Sequence, residues 1–234
     1  MRALKFLVGL LLVPVNLVVV SATFRLLAGF DPQTSGWHPL SLRWLTAGFL
    51  LWLFIFITMP RPMRTYVLGH ELTHAVWALL MGARVSRLRV SARGGSVTVS
   101  KSNWVITLAP YFFPFYTMIV FALAVGLGWF YDLRPYEPLF LGLIGLTYSF
   151  HVTFTLAMLA HHQPDIHEHG RVFSYSVILL LNVLGIAYWV IAVTPSTLAG
   201  YADLLHRDGL LLGAWFDPIR ERIQLTIKDF FQSL

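Results

Sequence analysis

Residues 69–83 read GHELTHAVWALLMGA, and the reading of this stretch governs that of the whole chain. Taken as a helix, it sets His70 and His74 one turn apart on a single face, with Glu71 beside them. Two imidazoles at i and i+4 can hold one divalent metal ion, and the adjacent glutamate can act as a base on water at that ion. The setting narrows the reading further. Between Arg64 and Arg84 no residue but Glu71 carries a formal charge and most are apolar, so the run predicts a helix of bilayer length. The bland alternative is a pair of histidines hydrogen-bonded between helices. Against it stands Glu71, because a carboxylate at membrane depth is costly unless it is paired or functional. The chain has only four glutamates, Glu71, Glu137, Glu168 and Glu221, which makes a chance HExxH match less expected.

Composition agrees with a membrane setting. Of the 234 residues 57% are hydrophobic and 12% charged, with a mean hydropathy of +0.68. An average soluble domain carries about 25% charged residues. The expected class is an all-α integral membrane protein, multi-pass, in the cell or inner membrane, with about six transmembrane helices and a short β-hairpin after the HExxH helix. The net charge of +6 fits basic residues facing the lipid bilayer's anionic headgroups. No basic stripe interleaved with aromatics is present, so nucleic acid is not an expected partner. The chain has no cysteine, so any transition metal must be held by nitrogen and oxygen. Nothing in the sequence bears on oligomeric state.

Six apolar runs can be traced outward from the motif. Phe6 to Phe24 follows Arg2 and Lys5 and can span; Val20-Ser21-Ala22 resembles a cleavage site, but the run is long for a signal peptide, whose apolar region is about 7–15 residues. Trp44 to Pro60 is the second run and the motif helix the third. Ser102 to Tyr131 is interrupted by Pro110 and Pro114, which permits a kink or a re-entrant path. Pro138 to Ala160 carries His151 near its middle, and Val172 to Tyr201 carries Asn182. These runs make a polytopic domain of residues 1–202, with the core at about 64–200, followed by a tail of 203–234. In the tail Ile219, Ile223, Ile227 and Phe230 share one helical face, as in a helix lying on a membrane surface. Five basic residues between Arg84 and Lys101 favour a cytoplasmic side for that segment, while strict alternation of six spans puts Arg2, Lys5, Arg61 and Arg64 outside, against the same rule.

Arg84 to Lys101 is the one stretch without helical character. Leu88, Val90, Val97 and Val99 alternate with polar residues, and Gly94-Gly95 has the composition of a two-residue turn between two strands. A solvated connector is the plainer reading. The sharper one is a hairpin beside the motif helix, with those four residues binding an extended substrate segment along the open edge.

A catalytic zinc generally takes three protein ligands and keeps one position for water. Asp165 is the preferred third ligand, because it lies at a Pro-marked break between two apolar runs where irregular backbone can line a cavity. His161, His162, His167, Glu168 and His169 are neighbouring candidates, and the cluster can also be read as a solvated loop. His151 either donates to a neighbouring helix carbonyl or supports the oxyanion or a metal ligand from behind. Asn182 reads as a hydrogen bond between helices.

Three features resemble the site-2 protease family of intramembrane zinc metalloproteases: GHELTH at 69–74, GARVSRLRVSARGG just after it, and QPD at 163–165. The resemblance covers roughly Tyr66 to Asn182. It implies one Zn2+ per chain held by His70, His74 and Asp165, with Glu71 as the catalytic base. It also implies a β element that receives a transmembrane protein substrate. The chain departs from the family where Gln163 replaces the asparagine before the proline and Ile166 replaces the glycine after the aspartate. Three other readings stay open: an inactive membrane scaffold of the same fold, a metal transporter collecting ions at residues 161–169, and a membrane peptidase of the kind acting on prenylated peptides, in which Glu168 would be the third ligand.

Overall fold

The computed structural model describes residues 2–29, 39–161 and 163–232. Nine helices and one hairpin are described: α1 (Arg2–Ala28), α2 (Pro39–Thr58), α3 (Met63–Leu80), β1 (Val85–Ser91), β2 (Gly94–Val99), α4 (Trp104–Phe112), α5 (Phe115–Gly128), α6 (Glu137–Leu159), α7 (Pro164–His169), α8 (Arg171–Val193) and α9 (Leu198–Gln232). The expected class holds. Each of the six apolar runs is helical, yet among the described residues only four helices are long and apolar enough to cross a bilayer, or five if α4 and α5 count as one broken span. Of the six runs, α3 is the one outside that set. It carries Arg64, His70, Glu71 and His74 along its 18 residues.

Packing explains how so short and polar a helix is held. Helices α2 and α6 cross at contact distance because Gly48 faces Gly142 and Gly145 faces the Leu45 carbonyl; a Cβ at Gly48 or Gly145 would overlap the opposing backbone. Trp52, Phe150 and Phe154 fill the space beside that crossing, and Tyr66 of α3 stacks on Phe154 with ring centroids 4.7 Å apart. A second layer joins α4, α7 and α8 through Leu108, Tyr111, Ile166, Phe173 and Val177. Helix α1 lies along α8, where Asn16 donates to the Ser176 carbonyl at 3.1 Å. The first half of α9 returns to α1 through Tyr201–Thr23 at 2.8 Å and an Arg25–Asp208 ion pair at 3.0 Å. The expected tail boundary at 202/203 therefore falls within one continuous helix.

Two local breaks shape the centre. Proline cannot donate a backbone hydrogen bond and disfavours helical backbone before it. Accordingly Phe113, ahead of Pro114, is extended (φ −100°, ψ 109°), and α5 turns 78° away from α4. Asn103 caps α4, its side chain accepting from the Val105 and Ile106 amides. The second break is at Gln163 (φ −114°, ψ 124°), ahead of Pro164, which opens α7 and sets Asp165 in its first turn.

The hairpin forms as expected but turns elsewhere. Ser91 pairs with Gly94 and Val90 with Gly95, so Ala92-Arg93 is the loop and both glycines belong to β2. The reason for the correction is steric. A Cβ on Gly95 would come within 2.6 Å of Val67 Cγ1, 2.7 Å of Glu71 Cγ and 2.8 Å of the Arg89 carbonyl oxygen. This glycine marks a close approach of strand to helix, not a turn.

Candidate metal centre

Helical periodicity alone brings His70 and His74 together, and their Nε2 atoms lie 3.2 Å apart. Asp165, carried in by α7, places Oδ2 3.4 Å from His70 Nε2 and 3.7 Å from His74 Nε2. Ligands about 2.0–2.1 Å from a tetrahedral ion stand about 3.3–3.4 Å apart, so these three separations fit the edges of one coordination tetrahedron. Among the described residues this is the one group of three or more His, Asp or Glu side chains close enough to share an ion.

The donor chemistry fits zinc as well as the distances do. His74 Nδ1 is 2.7 Å from the Ile106 carbonyl oxygen, to which it donates, leaving the Nε2 lone pair facing the centre. That acceptor is free for a reason written in the sequence. Residue 110 would normally donate to the carbonyl of residue 106, and Pro110 has no N–H to give. His70 Nδ1 lies 3.2 Å from the Tyr66 hydroxyl, one turn back along α3. Burial alone would raise the Asp165 carboxyl, but the two imidazoles beside it outweigh that and hold it below the usual carboxylate range. An ionised carboxylate and two imidazoles are the hard and borderline donors that suit a divalent ion.

Glu71 is buried next to this group, with the backbone of Val97 against its carboxylate. Both open onto a cavity of about 470 Å³, bounded on one side by α3 and α7 and on the other by β2 from Gly94 to Val97 together with Val99. Of the four expected substrate-binding residues, Val97 and Val99 line this cavity. Leu88 and Val90 are exposed on β1 and do not. Glu168 lines the cavity rim, but its carboxylate stands outside the ligand group. His151 is buried on α6, 3.3 Å from Asn182 Oδ1, and borders a small space behind α3 rather than the centre. Asn182 is the helix-to-helix bond expected of it, donating also to the Tyr111 carbonyl at 2.9 Å. His161 turns to the Ala157 carbonyl, and His169 is buried against Lys5, 2.6 Å away. His162 lies outside the described residues.

Sequence reasoning missed Tyr66, Tyr111 and the Ile106 carbonyl. Tyr66 had a signal, being four residues before His70 on the same face. Tyr111 had none, since the residue it touches is 54 positions away.

The family model described as Peptidase M50B-like matches residues 42–159, half of the chain. The matched segment runs from α2 to the end of α6 and includes the HELTH helix and the hairpin; Asp165 lies just beyond it. No curated protein and no solved structure matches the chain.

Proposed function

The chain belongs to the peptidase M50B-like family, the site-2 protease family, and from that premise we propose that it is an intramembrane zinc metalloprotease. It hydrolyses peptide bonds in or near the transmembrane segments of membrane-protein substrates. The observation that carries the reading is the convergence of His70 Nε2, His74 Nε2 and Asp165 Oδ2 at tetrahedral spacing beside a buried Glu71, at the wall of a cavity of about 470 Å³. Zinc held by these three side chains would lower the pKa of water towards about 7 and polarise a scissile carbonyl. Glu71 takes the proton from the attacking water and delivers it to the leaving amine. His74 stays in one tautomer through its bond to Ile106, so its donor face does not rotate away. The strand from Gly94 to Val99 forms the opposite wall and holds an unwound stretch of substrate, because a peptide bond inside an intact helix is shielded by its own turn.

The test uses the wild type and Glu71→Gln purified in detergent, with zinc measured per chain and cleavage followed on a panel of transmembrane peptides. One zinc in both proteins is expected, with turnover lowered about 10²–10⁴-fold in the variant. Substoichiometric zinc in the wild type, or equal turnover in both, overturns the reading.

A further inference from the structure

Resting on the metalloprotease reading, we propose that Tyr111 is a positioning residue for the third metal ligand: its hydroxyl holds the ligating oxygen of Asp165 in place. Tyr111 lies in the last turn of α4 and is fully buried. Its hydroxyl donates to Asp165 Oδ2 at 3.0 Å, and Oδ2 is the same oxygen that faces both histidines. Gln163 Oε1 lies near the same hydroxyl at 3.4 Å, but the single proton goes to the closer, charged acceptor, where the bond is stronger. With one lone pair of Oδ2 engaged by Tyr111, another is aimed at the point between the imidazoles before any ion arrives.

Three further contacts keep the tyrosine from moving. Its ring meets His70 edge-on, with centroids 5.3 Å apart, so one side chain touches two of the three ligands. Its backbone carbonyl, left open because α4 stops at Phe112, accepts from Asn182 Nδ2 at 2.9 Å, and Asn182 is in turn paired with His151. Ile166, next to Asp165, is buried in the same apolar layer as Tyr111. The isoleucine seats α7 against the tyrosine and so fixes the distance between hydroxyl and carboxylate. Positioning is needed because α7 is only six residues long, with a proline at its start and Gly170 at its end, and has little rigidity of its own.

The experiment measures zinc dissociation constants by chelator competition for the wild type, Tyr111→Phe and Tyr201→Phe. Tyr201 is the control, because its buried hydroxyl bonds Thr23 far from the centre. Tyr111→Phe is expected to weaken zinc about 10–100-fold, the range for partners that orient a ligand. It should also shift the visible absorption of the cobalt-loaded protein, whereas Tyr201→Phe changes neither. In an Asp165→Ala background, Tyr111→Phe should change the residual affinity no further. Wild type that binds no zinc overturns the metalloprotease reading and this inference with it. Zinc affinity and cobalt spectrum unchanged in Tyr111→Phe overturn this inference alone. So does a Tyr111→Phe protein that fails to fold while Tyr201→Phe folds, since the hydroxyl would then serve the fold and not the ligand.

Discussion

At the scale of single residues, the centre combines two kinds of information. His70 and His74 need only helical periodicity to meet, so their pairing was legible as a spacing of four. Asp165 was legible as a residue type at a break but not as a distance, because its approach depends on how α7 is seated. The structure separates it from its neighbour Glu168, which shares the cavity yet points no oxygen into the ligand group. Asp165→Ala should therefore lose zinc by more than the roughly 10–100-fold typical of residues that merely support a ligand. Glu168→Ala should hold zinc within about twofold of the wild type. Equilibrium dialysis of both variants decides the matter, and the reverse order of losses would move the third ligand to Glu168.

At the scale of elements, the prolines do more than end helices. Pro110 and Pro114 were visible as interruptions of an apolar run, and a kink was all that composition could announce. The structure adds where the freed carbonyls go: Ile106 to His74 and Tyr111 to Asn182. No sequence pattern records such a bond, because donor and acceptor lie 32 and 71 positions apart. Replacing Pro110 by alanine restores an N–H that competes for the Ile106 carbonyl. Zinc affinity should fall about tenfold, the lower end for a disturbed ligand support, while the zinc-free protein unfolds no earlier than the wild type. An unchanged affinity would show that His74 does not need an undivided acceptor. The hairpin was misread for a related reason. Adjacent glycines usually signal a turn, but Gly95 is required where β2 crosses Glu71. Gly95→Val has no room there, and displacing the strand by about 1 Å can cost 10²-fold in rate. Peptide cleavage should fall accordingly with zinc still bound; full activity would place the reacting peptide away from β2.

At the scale of the whole molecule, the ligand set adds a further tie between α3 and α7, two elements that already meet through α4. Helix α3 packs with α2 and α6 through the Trp52, Phe154 and Tyr66 cluster and with α4 through Ala78 and Ile106, while α7 is seated on α4 and α8, and α8 lies along α1. Membrane character and the number of apolar runs were readable from composition. Which helices pack against which was not, because apolar surface in lipid gives no preference for one neighbour over another. An ion bound by His70, His74 and Asp165 bridges α3 and α7 and binds only where both are in place, so its affinity adds directly to folding stability. At zinc about 100 times above its dissociation constant the gain is about 2.7 kcal/mol, or about 5–10 °C in melting temperature for a chain of this size. Chelation should lower the wild-type melting temperature by that amount in detergent, and Asp165→Ala should start from the lower value and not respond to chelator. A wild type indifferent to chelator would mean that no ion joins α3 to α7, whatever the spacing of the three donor atoms.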